Sequence, residues 1–360
     1  MKKTIIVLSA VLMSSGAYAQ GAHDAAAEAA KAMMASPEVE VKVEKPKYWE
    51  SSLKTQINVG QTGLTNWAAG GDNTVSMNAF IDANANWKKN EMFWNNRLQL
   101  DYGFLYASSK PILQKSNDRI YLESKWGYKT EKMKNFYFSA NYDFKSQFST
   151  GYDYKTPATL TDENGFDLEG AALRQAWRDA RVLKSGFLAP AYTNLALGID
   201  WKPAKWLSVN FAPVTGGFVI VRDAALRESY SMGLRKEFVD KTEGVPTDGS
   251  QFRSARFEFG AQLKMDVKVN INDNFSYSTQ VVLFSNYLDK PQNLRVNWDN
   301  RIDWKLAKYF SFTITTNLIY DDKVMIVSDK DKDQYPNGRQ RVQFKESLAF
   351  GFTYTIASKK

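Results

Sequence analysis

From Trp49 to the end of the chain, large apolar residues alternate with polar ones. The last such segment, 341–356, sets Val342, Phe344, Leu348, Phe350, Phe352, Tyr354 and Ile356 on one face. Gln343, Lys345, Ser347, Ala349, Gly351, Thr353 and Thr355 fall on the other, and Glu346 alone breaks the apolar side. A period of two is that of a β-strand. A globular strand averages about 5–6 residues, so a run of this length suits a tilted strand crossing a bilayer. The same alternation predicts strands at 53–63, 74–87, 92–106, 119–129, 136–148, 191–201, 207–221, 252–271, 275–287, 293–305 and 310–321. Short turns are expected at 88–91, 130–135, 202–206, 272–274 and 306–309. Longer loops are expected at 64–73, 107–118, 149–190, 222–251, 288–292 and 322–340.

Short turns alternating with long loops, and an even strand count, predict an all-β fold. The expected form is a transmembrane antiparallel β-barrel of about twelve strands, with short periplasmic turns and long outer loops. Aromatics support it. Trp87, Phe93, Trp94, Trp126, Phe136, Trp201, Trp206, Trp304 and Phe310 flank the short turns, and Tyr102, Tyr106, Tyr121, Tyr192, Tyr287 and Tyr320 lie near the loops. Rings gather where hydrocarbon meets headgroups. The turn lysines, Lys202 among them, read as solvating groups. The opposite strand face is charged: Arg97, Asp101, Glu123, Lys125, Asp143, Lys145, Arg295, Asp299, Arg301 and Asp303 are the expected lumen-lining residues. Acids and bases are present there in similar numbers. That predicts interior ion pairs rather than a strongly ion-selective pore.

The N-terminus carries Lys2 and Lys3, an apolar core over 4–13 and Ala17-Tyr18-Ala19, which reads as a signal peptide (1–19) cleaved after Ala19. Residues 20–48 read as a periplasmic linker, leaving 49–360 as the barrel domain. Removing the leader lowers the formal charge from +8 to +6. In an exported chain this basic balance does not point to nucleic acid. No cysteine is present, so disulfides, thiolate metal sites and a lipidated cysteine are excluded. Gly351-Phe352-Thr353-Tyr354-Thr355-Ile356 resembles the C-terminal targeting signal of outer-membrane barrels, with four further residues after it. The expected location is the outer membrane of a Gram-negative bacterium. The expected partners are its lipids, the barrel assembly machinery and a small solute, and the expected state is a monomer.

Asn66-Trp67-Ala68-Ala69-Gly70-Gly71-Asp72-Asn73 resembles the first-loop signature of a Gram-negative outer-membrane family, domain of unknown function 3078. Further matches are Phe187-Leu188-Ala189-Pro190-Ala191-Tyr192, Pro213-Val214-Thr215-Gly216-Gly217, Phe284-Ser285-Asn286-Tyr287-Leu288 and Ile319-Tyr320-Asp321-Asp322. The resemblance implies an outer-membrane barrel and assigns no activity.

Catalytic carriers are scarce. His23, the one histidine, lies beside the leader, so a Ser-His arrangement within the barrel and a histidine metal site are both excluded. No enzyme activity, cofactor or metal is expected; Asp299 with Asp303, or Asp321 with Asp322, reads as ion-paired acid rather than a Ca²⁺ site. The 149–190 loop holds a helical pattern over 168–183. It folds inward as a constriction, stands outside as a cap, or is disordered, with Trp67, Trp177 and Arg178 as loop candidates for solute contact. The expected function is a narrow passive channel or a small-solute binding and transport protein. The alternatives are a structural or adhesive surface-display barrel without a conducting pore, and a soluble exported β-protein that binds ligand.

Overall fold

The computed structural model describes residues 48–62, 73–241, 243–326, 333–335 and 338–357. The signal peptide, the linker before residue 48 and Trp67 lie outside the described residues. Twelve strands close into one antiparallel barrel. They are β1 (Trp49–Thr62), β2 (Thr74–Lys89), β3 (Met92–Ala107), β4 (Lys110–Lys129), β5 (Phe136–Ser146), β8 (Ala191–Ala204), β9 (Leu207–Ile220), β10 (Ala255–Asn270), β11 (Phe275–Asn286), β12 (Leu294–Lys305), β13 (Phe310–Tyr320) and β16 (Gln343–Ala357). Each pairs with the barrel strand before and after it, and β1 pairs with β16 to complete the circle. Two hairpins stand apart: β6 (Gly151–Tyr154) with β7 (Arg181–Ser185), and β14 (Met325–Ile326) with β15 (Arg339–Gln340). Both barrel termini, Trp49 and Ala357, emerge at the short-turn end.

Pairing carries the alternation from strand to strand, because directly opposed residues share a face. Gln56 opposes Phe80, Phe80 opposes Asp101, and Asp101 opposes Arg119. All of these point inward. The outward set includes Val59, Leu195, Phe211, Phe218, Phe257, Trp298 and Leu348, large apolar side chains that remain exposed. An exterior of this kind is stable only against hydrocarbon. No helix among the described residues is long and apolar enough to cross a membrane. Rings belt the turn end, where Trp49 meets Trp94 at 5.9 Å, Phe136 stacks on Trp201 at 6.2 Å and Phe310 stacks on Phe350 at 6.0 Å. Tyr102 meets Phe148 at the loop end.

Three expectations need correction. The 107–118 segment is a strand extension rather than a loop: β3 and β4 run on past the barrel wall to pair Ala107 with Lys110. Its β4 half, Lys110 to Asn117, sets Ile112 and Leu113 side by side among polar residues, so it gave no regular alternation to read. The helix is shorter than the expected 168–183. It is α1 (Gly170–Asp179), and Arg181–Ser185 instead leaves it as a strand paired with β6. Third, Phe93, Tyr121 and Tyr192 do not belong to the belts. Their registers turn them inward, Phe93 opposing Gly127, Tyr121 opposing Lys145 and Lys145 opposing Tyr192.

The outward alternation generates a test. Replacing lipid-facing Leu195 by Arg should lower the unfolding free energy in lipid vesicles by about 2–4 kcal/mol, whereas lumen-facing Lys145→Arg should leave it nearly unchanged. Guanidinium titration followed by tryptophan fluorescence measures both.

Candidate functional site: an ion-paired lumen

The ten charged residues expected to line the lumen all lie on the inward face, and the structure adds their partners. At the turn end Lys125 donates to Asp200 at 2.6 Å, with Lys202 3.2 Å from the same carboxylate. Lys202 therefore points into the bore rather than merely solvating its turn. Its Nζ sits 3.4 Å from the centroid of the Phe93 ring, which lies over Gly127 where any larger side chain would collide with it. On the facing wall Asp303 takes Lys54 at 2.9 Å, Arg301 at 2.9 Å and Thr313 at 2.8 Å. Arg301 reaches on to Gln56 at 2.6 Å and lies over the Phe80 ring.

Further toward the loops, Arg97 grips Asp82 through two hydrogen bonds of 3.0 and 2.7 Å. Lys264 on β10 meets Glu123 on β4 at 2.7 Å, and the Tyr121 hydroxyl donates to the same carboxylate at 2.8 Å. Asp143 accepts from Asn194 at 2.9 Å. Arg119 on β4 stands 3.9 Å from Asp299 on β12. Those strands are six places apart around the twelve-strand circle, so this pair spans the bore from wall to wall. Asp299 also accepts from Asn317. Lys345 on β16 donates to Asn117 on β4 at 3.0 Å. Above them Arg295 bridges Glu258 at 2.6 Å and Asp321 at 3.2 Å. The aspartates considered for Ca²⁺ are thus engaged by the protein's own cations and amides.

Some inward polar atoms have no protein partner among the described residues: both side-chain polar atoms of Asn141, and one carboxylate oxygen of Asp101. Buried polar groups left unpaired are costly unless water or a solute reaches them.

α1 packs on the β4 extension through buried Trp177, whose ring lies beneath Lys110. Trp177 is thus a packing residue, and Arg178 is exposed on the outer side of the helix. The segment that descends to the lumen is a different one, 221–254. Arg256, inward on β10, donates to the Tyr230 and Ser231 carbonyls at 3.2 and 2.8 Å. Arg227 ties the segment down by donating to the carbonyls of Val221, Arg222 and Phe252. Leu226 and Met232 join Ala189, Val219 and Val221 in a small apolar core at the mouth, with Tyr230 packed against it. Burial there pushes the Tyr230 hydroxyl up to about 12. Between neighbouring loops a hydrogen bond from Lys323 holds the exposed Asp289 carboxyl below its usual range.

Sequence reasoning missed Lys54, Asp82, Asp200, Glu258 and Lys264. Glu258 and Lys264 were visible in the alternation of β10; Asp82 and Asp200 are single acids among small polar and apolar neighbours and gave little signal.

Solved structures that match over most of the chain are distant in sequence. The translocator domain of autotransporter NalP from Neisseria meningitidis is 8% identical, with 93% of this chain and 96% of that one covered and a TM-score of 0.35. An outer membrane channel from Pseudomonas putida F1 is 10% identical, with 86% and 95% covered and a TM-score of 0.34. The toluene transporter TodX from P. putida is 9% identical, with 88% and 91% covered and a TM-score of 0.28. At these levels the barrel rests on its own strand order. No curated protein matches the sequence significantly. Residues 59–152, from the end of β1 through the start of β6, match the family described as protein of unknown function, DUF3078, the family that the first-loop motif resembles.

Proposed function

We propose that this chain is an outer-membrane barrel through which small polar solutes pass or bind in a narrow, partly occluded lumen. In this reading the short turns and both barrel termini face the periplasm and the long loops face outward. The observation that carries it is the bore-crossing Arg119–Asp299 pair, set among polar groups that the protein leaves unsatisfied. A twelve-stranded barrel lies between those filled by side chains and the wide porins. Here arginine and lysine side chains reach across the remaining space, leaving room for water and small solutes around a mixed-charge constriction. Acids and bases alternate along the bore, which supports weak ion selectivity.

A second reading is a closed barrel that displays its loops. The apolar core at the mouth favours it, because Leu226 and Met232 cover the end of the lumen.

Two measurements test the proposal. On fractionation the mature chain should be found with outer membranes and resist carbonate extraction; recovery as a soluble periplasmic protein would remove the membrane reading. In planar bilayers the wild type should show small, weakly selective unitary currents. Replacing both Arg119 and Asp299 by Ser should raise the conductance several-fold without preventing insertion. Silence from the wild type, from this variant and from one with 223–250 replaced by a short Gly/Ser linker would establish the display reading instead.

A further inference from the structure

The barrel is not closed equally well all round. Strands β1 and β16 pair from Ser52 opposite Ala357 to Asn58 opposite Gly351, and there the ladder stops. Both strands continue. β1 stays paired with β2 as far as Thr62, and β16 stays paired with β13 from Phe352 to Gln343. Were the register to continue, Val59 would oppose Phe350, Gly60 would oppose Ala349 and Gln61 would oppose Leu348. Among the described residues no pair joins these positions. The seam is therefore open on its loop-end half, within the height of wall that hydrocarbon surrounds. Free backbone edges at that depth are tolerated only where they border a polar cavity or a partner.

The walls of the opening differ from the rest of the barrel. Its outer lips are apolar: Val59 is 63% exposed and Leu348 68% exposed. On the lumen side Lys345 and Ser347 are exposed, whereas Asn317 and Thr315, which oppose them on the neighbouring strand, are half-buried. A second observation leads to the same place. Thr279, Asn300, Thr316 and Glu346 oppose one another in turn across β11, β12, β13 and β16, forming a polar row on the lipid-facing side. Tyr277 donates to Asn300, and Asn300 donates to Thr316. The row ends at Glu346, an exposed carboxylate on the strand that edges the seam. Hydrogen-bonding groups on a lipid face are a cost unless a polar group comes to meet them.

We propose that the β1–β16 seam is a lateral portal between the lumen and the surrounding lipid, and that its traveller is an amphiphile with an alkyl body and an uncharged hydrogen-bonding head. The alkyl body fits the lips at Val59, Leu348 and Phe350. The head passes from the Glu346 side to Ser347 and the polar lumen, and its neutrality suits an edge that carries Glu346 outside and Lys345 inside. The proposal rests on the membrane-barrel reading and is independent of conduction along the axis.

The chain has no cysteine, so a pair introduced across the seam reports on it cleanly. Gly60→Cys with Ala349→Cys would staple the lumen side, and Gln61→Cys with Leu348→Cys the lipid side; dithiothreitol reverses either. The full mature chain is placed in phosphatidylcholine vesicles with a diazirine-bearing dodecanol, irradiated and mapped by peptide mass spectrometry. In the reduced state the probe should label the lumen-facing side chains of Asn317 and Ser347. Oxidation should lower that labelling several-fold while outward Trp298 is labelled as before. Where neither pair oxidises, a benzyl methanethiosulfonate adduct on Gly60→Cys alone should produce the same loss by filling the gap. Lumen labelling that neither staple nor adduct changes, or its absence in the reduced state while Trp298 is labelled, would overturn the portal. Loss of Trp298 labelling in every form would instead mean that the membrane reading has failed.

Discussion

Backbone amides and carbonyls must be paired wherever water cannot reach them, and this requirement shapes the molecule. A sheet meets it in hydrocarbon by curling until its first strand pairs with its last. The period-two alternation then has only one consistent reading, because one face meets lipid and the other is enclosed. With twelve strands the enclosed space is small. The charged inner residues of opposite walls come within reach of one another, as Arg119 and Asp299 do across the full width.

That geometry replaces the apolar core of a soluble protein with a polar one. Several lumen cations here have an identifiable task. Lys54 and Arg301 share Asp303, Lys264 holds Glu123, and Arg295 joins Glu258 to Asp321. Removing one partner of such a pair leaves its counterpart desolvated and alone. The interior is therefore more sensitive to single neutral substitutions than the charge-rich sequence suggests. At the loop end the design changes, and the 221–254 segment brings Leu226, Met232 and Tyr230 together into apolar packing.

Much of the barrel was legible in the sequence, because a strand with different media on its two faces must alternate. The twelve barrel strands were readable, though not the two small loop hairpins, and the inward charged set followed from them. Legibility ended where strands no longer stood between two media. The β3–β4 extension packs against the loop helix, where Ile112 and Trp177 are buried, rather than between lipid and lumen, so Lys110 to Asn117 show no clear alternation. Residue type also misled where period did not: Phe93, Tyr121 and Tyr192 look like belt aromatics, and only their registers place them inside. The partners across the bore were out of reach. Which levels meet depends on strand tilt and stagger, and no local pattern records that Lys264 faces Glu123. The 221–254 segment was missed because its apolar residues follow no regular spacing.

The hydrogen bonds of Lys54 with Asp303 and of Arg301 with Gln56 link positions 249 and 245 residues apart in the chain. The strand-to-strand ladders other than β1–β16 join barrel strands that follow one another in the chain and can form as soon as the second strand arrives. These two cannot exist until the last strands have been delivered to the first, and they stand beside the short stretch where β1 and β16 pair. Closure is thus the slowest and most non-local event available to this chain. Until it occurs, β1 presents a free edge, and its lysine at position 54 lacks the carboxylate that neutralises it.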